Sequence, residues 1–336
     1  VRINQRWFVW IILTLCVLAV PTAVLTQTLN KDKDAGKETS SGSSSSSDGL
    51  MMHFKNHIEV VKLTGMIMDK ADSGLLTSST GSSSSALKDL RKALTNDKVK
   101  GILLRINSPG GTVPTSQELH DAVIALKKKG KPVVVSMGDL AASGGYYVAC
   151  ASDKIVANPG TLTGSIGVIM NMLNLKGLAD KFGVYPEVIK SGEFKDIASP
   201  YRAMTPAEHA ILQDLIMDSY DQFTTAVAEG RKLPIETVKK IADGRIYSGR
   251  QAQKLGLVDE LGSYTDALAS LQKICRDRYH LTEDLPVSDS SSDSFLASLL
   301  ESKTFFTPLS SKQGALDLIP PALMPELNKQ PLWLMQ

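Results

Sequence analysis

Apolar residues fall into three regimes along the chain. From Trp7 to Thr26 they form an uncharged run of about 20 residues, the length that spans a bilayer core as a helix. Residues 27–56 are polar and include Ser43-Ser44-Ser45-Ser46-Ser47. That composition buries no core and reads as a flexible tether. Over residues 57–280 apolar clusters return, as strand-like runs alternating with helical stripes. Ile58 to Ile67, Gly101 to Ile106 and Pro132 to Met137 predict strands. Leu87, Leu90 and Leu94 mark one helix, and Thr115 to Lys129 another, opened by a Thr115-x-x-Glu118 capping box. Strands alternating with helices imply an α/β fold with a parallel-type sheet and right-handed crossovers.

The later part is more helical. Thr205-Pro206-x-Glu208 opens a long helix to about Arg231, with further helices over Ile235–Ala242, Ser248–Leu255 and Ser263–Arg276. Gly256 to Asp259 reads as a short strand or turn, and Pro186 to Lys190 as strand-like. Thr77 to Ser85 is a second Ser-rich loop, and residues 281–336 form a Ser- and Pro-rich tail.

Charge refines this picture at the N-terminus. Arg2 and Arg6 precede the apolar run, and the balanced Lys31-Asp32-Lys33-Asp34 follows it. That asymmetry places residues 1–26 as a cytoplasmic N-terminus and transmembrane signal anchor, with the remainder outside the cytoplasmic membrane. No small-x-small cleavage site lies near Thr22-Ala23-Val24, so the anchor is expected to be retained. Over the whole chain 37 Lys and Arg face 35 Asp and Glu, a balance that offers no nucleic-acid surface. Lys127-Lys128-Lys129 suits the C-terminal end of a helix. Three cysteines make no disulfide framework; Cys150 reads as core, and Cys150–Cys275 is the pairing to check.

Histidine is the side chain that most often serves acid–base and metal chemistry near neutral pH. His53, His57, His120, His209 and His280 form no HExxH pair and no metal-ligand spacing with cysteine. No P-loop and no GxGxxG after a strand occurs, so no metal and no cofactor is expected. Two glycine-rich turns remain, Asn107-Ser108-Pro109-Gly110-Gly111 and Ala141-Ala142-Ser143-Gly144-Gly145. Both follow predicted strands, at the carboxyl ends where α/β proteins place their sites. Glycine lets backbone N–H groups approach a ligand closely. Ser143, opening a helix through Tyr146 and Tyr147, is then an exposed hydroxyl beside two backbone donors, which is what acyl transfer needs. With no histidine at hand, a desolvated lysine is the alternative base. Lys195, flanked by Phe194 and Ile197, fits that role. A lone loop lysine is ordinarily a surface charge, so spacing alone does not select it.

From about Val60 to Leu271 the chain resembles the signal peptide peptidase A family, of the ClpP/crotonase fold. The resemblance rests on Ile106-Asn107-Ser108-Pro109-Gly110-Gly111, Ala142-Ser143-Gly144-Gly145-Tyr146-Tyr147, Thr163-Gly164-Ser165-Ile166-Gly167-Val168 and Ser191-Gly192-x-x-Lys195-Asp196, in that order. It implies repeated ββα units over residues 57–280. It makes Ser143 the nucleophile, Lys195 the general base and Ser165 the residue that orients Lys195. The oxyanion hole falls on Gly110 or Gly111 together with Gly144. One half carrying both dyad residues matches the short, single-domain forms, which assemble into homo-oligomeric rings. The implied substrates are hydrophobic peptides, chiefly cleaved signal peptides, met beside a bacterial cytoplasmic membrane that residues 7–26 enter. Two alternatives compete with this reading. A crotonase-like acyl-thioester enzyme would share the fold and the two-amide hole, and a catalytically inactive scaffold would only bind peptides.

Overall fold

A computed structural model describes residues 55–69 and 82–289. The anchor expected over residues 7–26, nearly all of the tether, most of the second Ser-rich loop and the tail beyond residue 289 lie outside the described residues. Among the described residues, no helix is long and apolar enough to cross a membrane.

The elements run β1 (His57–Thr64), α1 (Ser83–Thr95), β2 (Val99–Ser108), α2 (Val113–Lys128), β3 (Val133–Ala142), α3 (Gly144–Cys150), β4 (Lys154–Ala157) and β5 (Leu162–Gly164). There follow α4 (Lys176–Phe182), α5 (Pro206–Arg231), α6 (Ile235–Ile241), β6 (Ile246–Ser248), α7 (Gly249–Lys254), β7 (Glu260–Leu261), α8 (Tyr264–Tyr279) and β8 (Val287–Asp289). The strands form one eight-stranded sheet in the order β6-β5-β3-β2-β1-β8, with β4 and β7 branching from β3. All pairings are parallel except β5 with β6, so the sheet is mixed rather than purely parallel. The expected repetition of ββα units is not seen among the described residues: strands and helices alternate singly as far as α3, and two strands follow one another only at β4–β5. The short β8 lies beside β1, so the sheet extends past His280.

Period-two alternation divides the core between the two faces of the sheet. Val61, Leu63, Ile102, Leu104, Ile106, Val133, Val135 and Met137 point to one side, under α1, α2 and α3. Ile58, Val60, Leu103, Val134 and Val156 point to the other, where Ala267, Leu271 and Cys275 of α8 cover them. With both faces covered, these strands read in sequence as nearly continuous apolar runs.

Several boundaries differ from expectation, each for a local reason. β1 stops at Thr64 because Gly65 takes a φ of +74°, and Ile67 rejoins the sheet only through a bridge to Gly111. Helix α2 starts at Val113 after Thr112, not at Thr115. Pro114 fits the first turn, and Glu118 bonds Arg91 at 2.9 Å instead of completing a capping box. Strand β3 continues five residues beyond Met137, to Ala142. It pairs with β4 at Val134–Ser136 and then with β5 at Leu140–Ala142. Gly138 leaves room at that change of partner for Asn107, whose Oδ1 accepts the Leu140 N–H at 3.1 Å. Pro186 to Lys190 pairs with no strand. Cys150 and Cys275 are both free and lie in separate core clusters, which removes the pairing raised above.

Candidate active site

The end of β3 delivers Ser143 directly into the first turn of α3. Its φ of 52° and ψ of −123° belong to a region that side chains rarely adopt. Such strain persists only where the surroundings over-determine it. Here the Ser143 N–H donates to the Gly164 carbonyl at 2.8 Å, and its carbonyl accepts from the Tyr147 N–H at 2.9 Å. Helix α3 is held rigidly behind it. Gly144, Gly145, Tyr146, Val148, Ala149 and Cys150 are all buried. The Tyr146 hydroxyl donates to the Leu257 carbonyl at 2.9 Å, and Lys127 Nζ donates to the Ala151 carbonyl at 2.7 Å. Burial pushes the Cys150 thiol up to about 12, so it is an inert packing group.

The other glycine turn packs against this one. Gly110 has a φ of +97°, and a side chain there would place Cβ 2.5 Å from the Gly144 nitrogen and 2.8 Å from Ser143 Cβ. A Cβ on Gly144 would lie 2.4 Å from Ser116 Oγ and 3.2 Å from the Gly111 nitrogen. One on Gly111 would lie 1.8 Å from the Ile67 carbonyl oxygen. All three glycines are therefore required by close approach, and Gly110 by conformation as well. The Gly110 N–H donates to Ser108 Oγ at 3.1 Å, within a residue that is fully buried. Around Gly111 the chain is pinned by Ile67, whose N–H donates to the Gly110 carbonyl at 2.9 Å and whose carbonyl accepts from the Thr112 N–H at 2.8 Å. In such a parallel bridge the N–H of Gly111 itself is directed away from Ile67. Gly144 is the first residue of its helix, where N–H groups have no internal acceptor.

The third motif completes the frame. Thr163 Oγ1 donates to the Ala141 carbonyl at 2.7 Å, tying β5 to the end of β3. Gly164 has a φ of +79° and sits against the Tyr247 ring, where a Cβ would meet Cδ2 at 2.6 Å. Ser165 follows with a φ of 49°, and its N–H donates to the Arg245 carbonyl at 2.8 Å. Ser143, Ser165, Gly110, Gly111 and Gly144 are thus brought together by backbone contacts.

Lys195 is not joined to them. It lies exposed in the turns of residues 191–199, with its N–H donating to the Gly192 carbonyl at 3.2 Å. No hydrogen bond links its Nζ to Ser143 or Ser165, and among the described residues nothing encloses it in the dry pocket that the sequence leads one to expect. The surrounding segment explains why: Ile169, Phe182 and Ile189 are 81%, 75% and 97% exposed, so this stretch does not fold onto its own body. Residues that motif reading passed over also shape the site. Ser108 and Asn107 lie inside the first glycine motif, whereas Tyr247 and Ser116 carry no sequence signal of their own.

A family model described as "Peptidase family S49" matches residues 125–276, and one described as "Clp protease" matches residues 67–161. A protein of Enterococcus faecium named "Putative signal peptide peptidase SppA" is 37% identical over 281 residues, covering 80% of this chain and 81% of its own. The chain belongs to peptidase family S49. "Protease 4" of Salmonella typhi is 37% identical over 225 residues, 67% of this chain but 36% of that larger protein. "Serine protease SPPA, chloroplastic" of Arabidopsis thaliana is 35% identical over 184 residues, covering 54% of this chain and 27% of its own. As an S49 member the chain is a serine peptidase with a ClpP-like α/β body, and the four motifs lie within the similar region.

Proposed function

We propose that this S49 peptidase is a membrane-anchored endopeptidase that degrades hydrophobic peptides, chiefly spent signal peptides, with Ser143 as nucleophile and Lys195 as general base. The observation that carries this reading is the strained strand-to-helix turn at Ser143, pressed against the Gly110–Gly111 backbone. Ser143 Oγ attacks the scissile carbonyl while Lys195 Nζ takes the hydroxyl proton. The carbonyl oxygen becomes an oxyanion, and donors fixed beforehand stabilise it without reorganisation. Because the Gly110 N–H is committed to Ser108, Gly111 is assigned as the donor that acts with Gly144. The C–N bond then breaks, Lys195 returns its proton to the leaving amine, and an acyl-enzyme remains. Lys195 next deprotonates a water that attacks the ester, and the acid product leaves with Ser143 restored. Ser165 orients the amine of Lys195.

An exposed lysine has a pKa of about 10.4 and cannot serve as a base near neutrality. It must be desolvated. In this reading a second copy of the chain does that, by covering the apolar segment around Lys195 in a homo-oligomeric ring. Exposed apolar area on this scale marks an interaction surface. Residues 7–26 hold each subunit to the bilayer, with the peptidase body on the extracytoplasmic side, where cut signal peptides remain in the same membrane.

The test is turnover of a hydrophobic fluorogenic peptide by the full-length chain in detergent. Ser143→Ala and Lys195→Ala are each expected to lose activity by about 10³-fold or more. Undiminished turnover in either variant would end the dyad assignment.

A further inference from the structure

We propose that Arg202 is a positioning residue for Lys195, holding the turn that carries the base against the helix that buttresses the nucleophile. The proposal rests on the dyad reading above and deepens it.

Residues 191–199 belong to no helix or strand, and their backbone contacts are short-range turns such as Ile197 N–H to the Phe194 carbonyl at 3.1 Å. Beyond the bond from Lys190 Nζ to the Glu193 carbonyl at 2.8 Å, what fastens them is the residue next to the base. Asp196 Oδ2 accepts from Arg202 Nε at 2.9 Å, Oδ1 accepts from Lys190 Nζ at 2.7 Å, and the Asp196 carbonyl accepts from Arg202 Nη2 at 3.1 Å. The far side of the same guanidinium grips Glu208. Nη1 donates to Oε2 at 2.7 Å and Nη2 to Oε1. Glu208 is buried in the first turn of α5, where its Oε2 also accepts the Thr205 N–H at 2.9 Å. Further along α5, Phe223 meets the Tyr147 ring edge-on at 5.1 Å, and Tyr147 lies in α3, the helix that begins after Ser143.

Arg202 therefore sits between two carboxylates, one on the base-bearing turn and one on the first turn of α5, whose far end packs against α3. A planar fork of donors can serve both at once, which a lysine cannot. Capping α5 does not require this. The reciprocal bonds of Thr205 and Glu208 already close that end. The contacts to the side chain and main chain of Asp196 are additional, and their one evident effect is to fix where residue 195 stands.

The experiment compares Arg202→Ala, Arg202→Lys and Asp196→Ala in the full-length chain, with Lys195→Ala as reference, by steady-state peptide hydrolysis from pH of about 6 to about 10. Asp196→Ala leaves the Arg202–Glu208 contact and the α5 cap intact, so it separates positioning from helix stability. Expected for Asp196→Ala and Arg202→Ala is a fall in kcat of about 10- to 100-fold with little change in KM, and an acidic limb of the kcat profile moved to higher pH. Arg202→Lys, which can still reach one carboxylate, should recover part of the loss. Wild-type kcat and pH profile in Asp196→Ala, with Lys195→Ala inactive, would overturn the positioning role and leave the dyad standing. An active Lys195→Ala would instead remove the dyad, and this proposal with it.

Discussion

The two halves of the proposed dyad live in opposite environments. Ser143 stands at the junction of a buried strand and a buried helix, with its N–H and carbonyl both bonded and glycines packed around it to within contact distance. Lys195 stands in an exposed run of turns whose neighbours include apolar side chains facing solvent. The difference teaches that one chain can build the strained turn at Ser143 and the glycine turn against it by its own packing. A lysine base demands desolvation, and that comes only from something laid over it. Helix α5 shows the same division along its length. Its C-terminal half buries Phe223, Thr224 and Val227, whereas Ile211, Leu215 and Met217 nearer its start are exposed.

The contrast can be broken most sharply on the nucleophile side. Gly111→Ala forces a methyl group against the Ile67 carbonyl and should displace one oxyanion donor. Peptide turnover is expected to fall by about 10²- to 10³-fold, with thermal unfolding still cooperative. Next comes the exposed side. Ile189→Asp puts a charge where a second copy would dock, and should weaken assembly by about 10-fold or more in dissociation constant, read by analytical ultracentrifugation in detergent. Activity should then become dependent on concentration, while circular dichroism is unchanged. A smaller effect is expected for Ser108→Ala, which releases the Gly110 N–H and lets the loop relax. A kcat reduction of about 5- to 10-fold with KM preserved would fit a donor held less well, and Ser108→Thr should restore part of it.

Acid tests the fastening of the turn that carries Lys195. The bonds from Arg202 hold the Glu208 carboxyl at about 2, below its ordinary 4.5, and Arg202 with Lys190 holds that of Asp196 down as well. Both shifts are downward, so their contribution to stability is complete above the ordinary carboxylate range and is lost as pH falls from about 4.5 towards about 2. Hydrogen exchange on acidification should open residues 190–208 before β2 and β3. Simultaneous opening would contradict the independence of the two regions.

Much of the body was legible in the sequence because local signals and tertiary packing agree there. The apolar run Ile102 to Ile106 is a buried strand, and Thr205 with Glu208 forms the reciprocal cap that its spacing predicts. Ser263 likewise caps α8. Legibility failed where a distant partner decides the outcome. Strand β3 outlasts its apolar stretch because β5 offers Leu140–Ala142 a ladder, and the three-residue β6 exists only as the antiparallel partner of β5. Pro186 to Lys190 has a strand's composition, but no strand lies beside it. At the site, glycines and serines announced themselves through motifs. The environment of Lys195 could not be read, since it depends on what covers the segment and not on the segment's own residues.

The backbone twist at residue 143 has a thermodynamic corollary. Only glycine would be comfortable at that φ and ψ, and relaxing such a residue is worth on the order of 1 kcal/mol. Ser143→Gly should therefore yield a dead protein that melts higher than the native one. On the proposed mechanism a less robust molecule is kept for the sake of a single hydroxyl, and the margin by which the inactive form outlasts the active one measures that compromise.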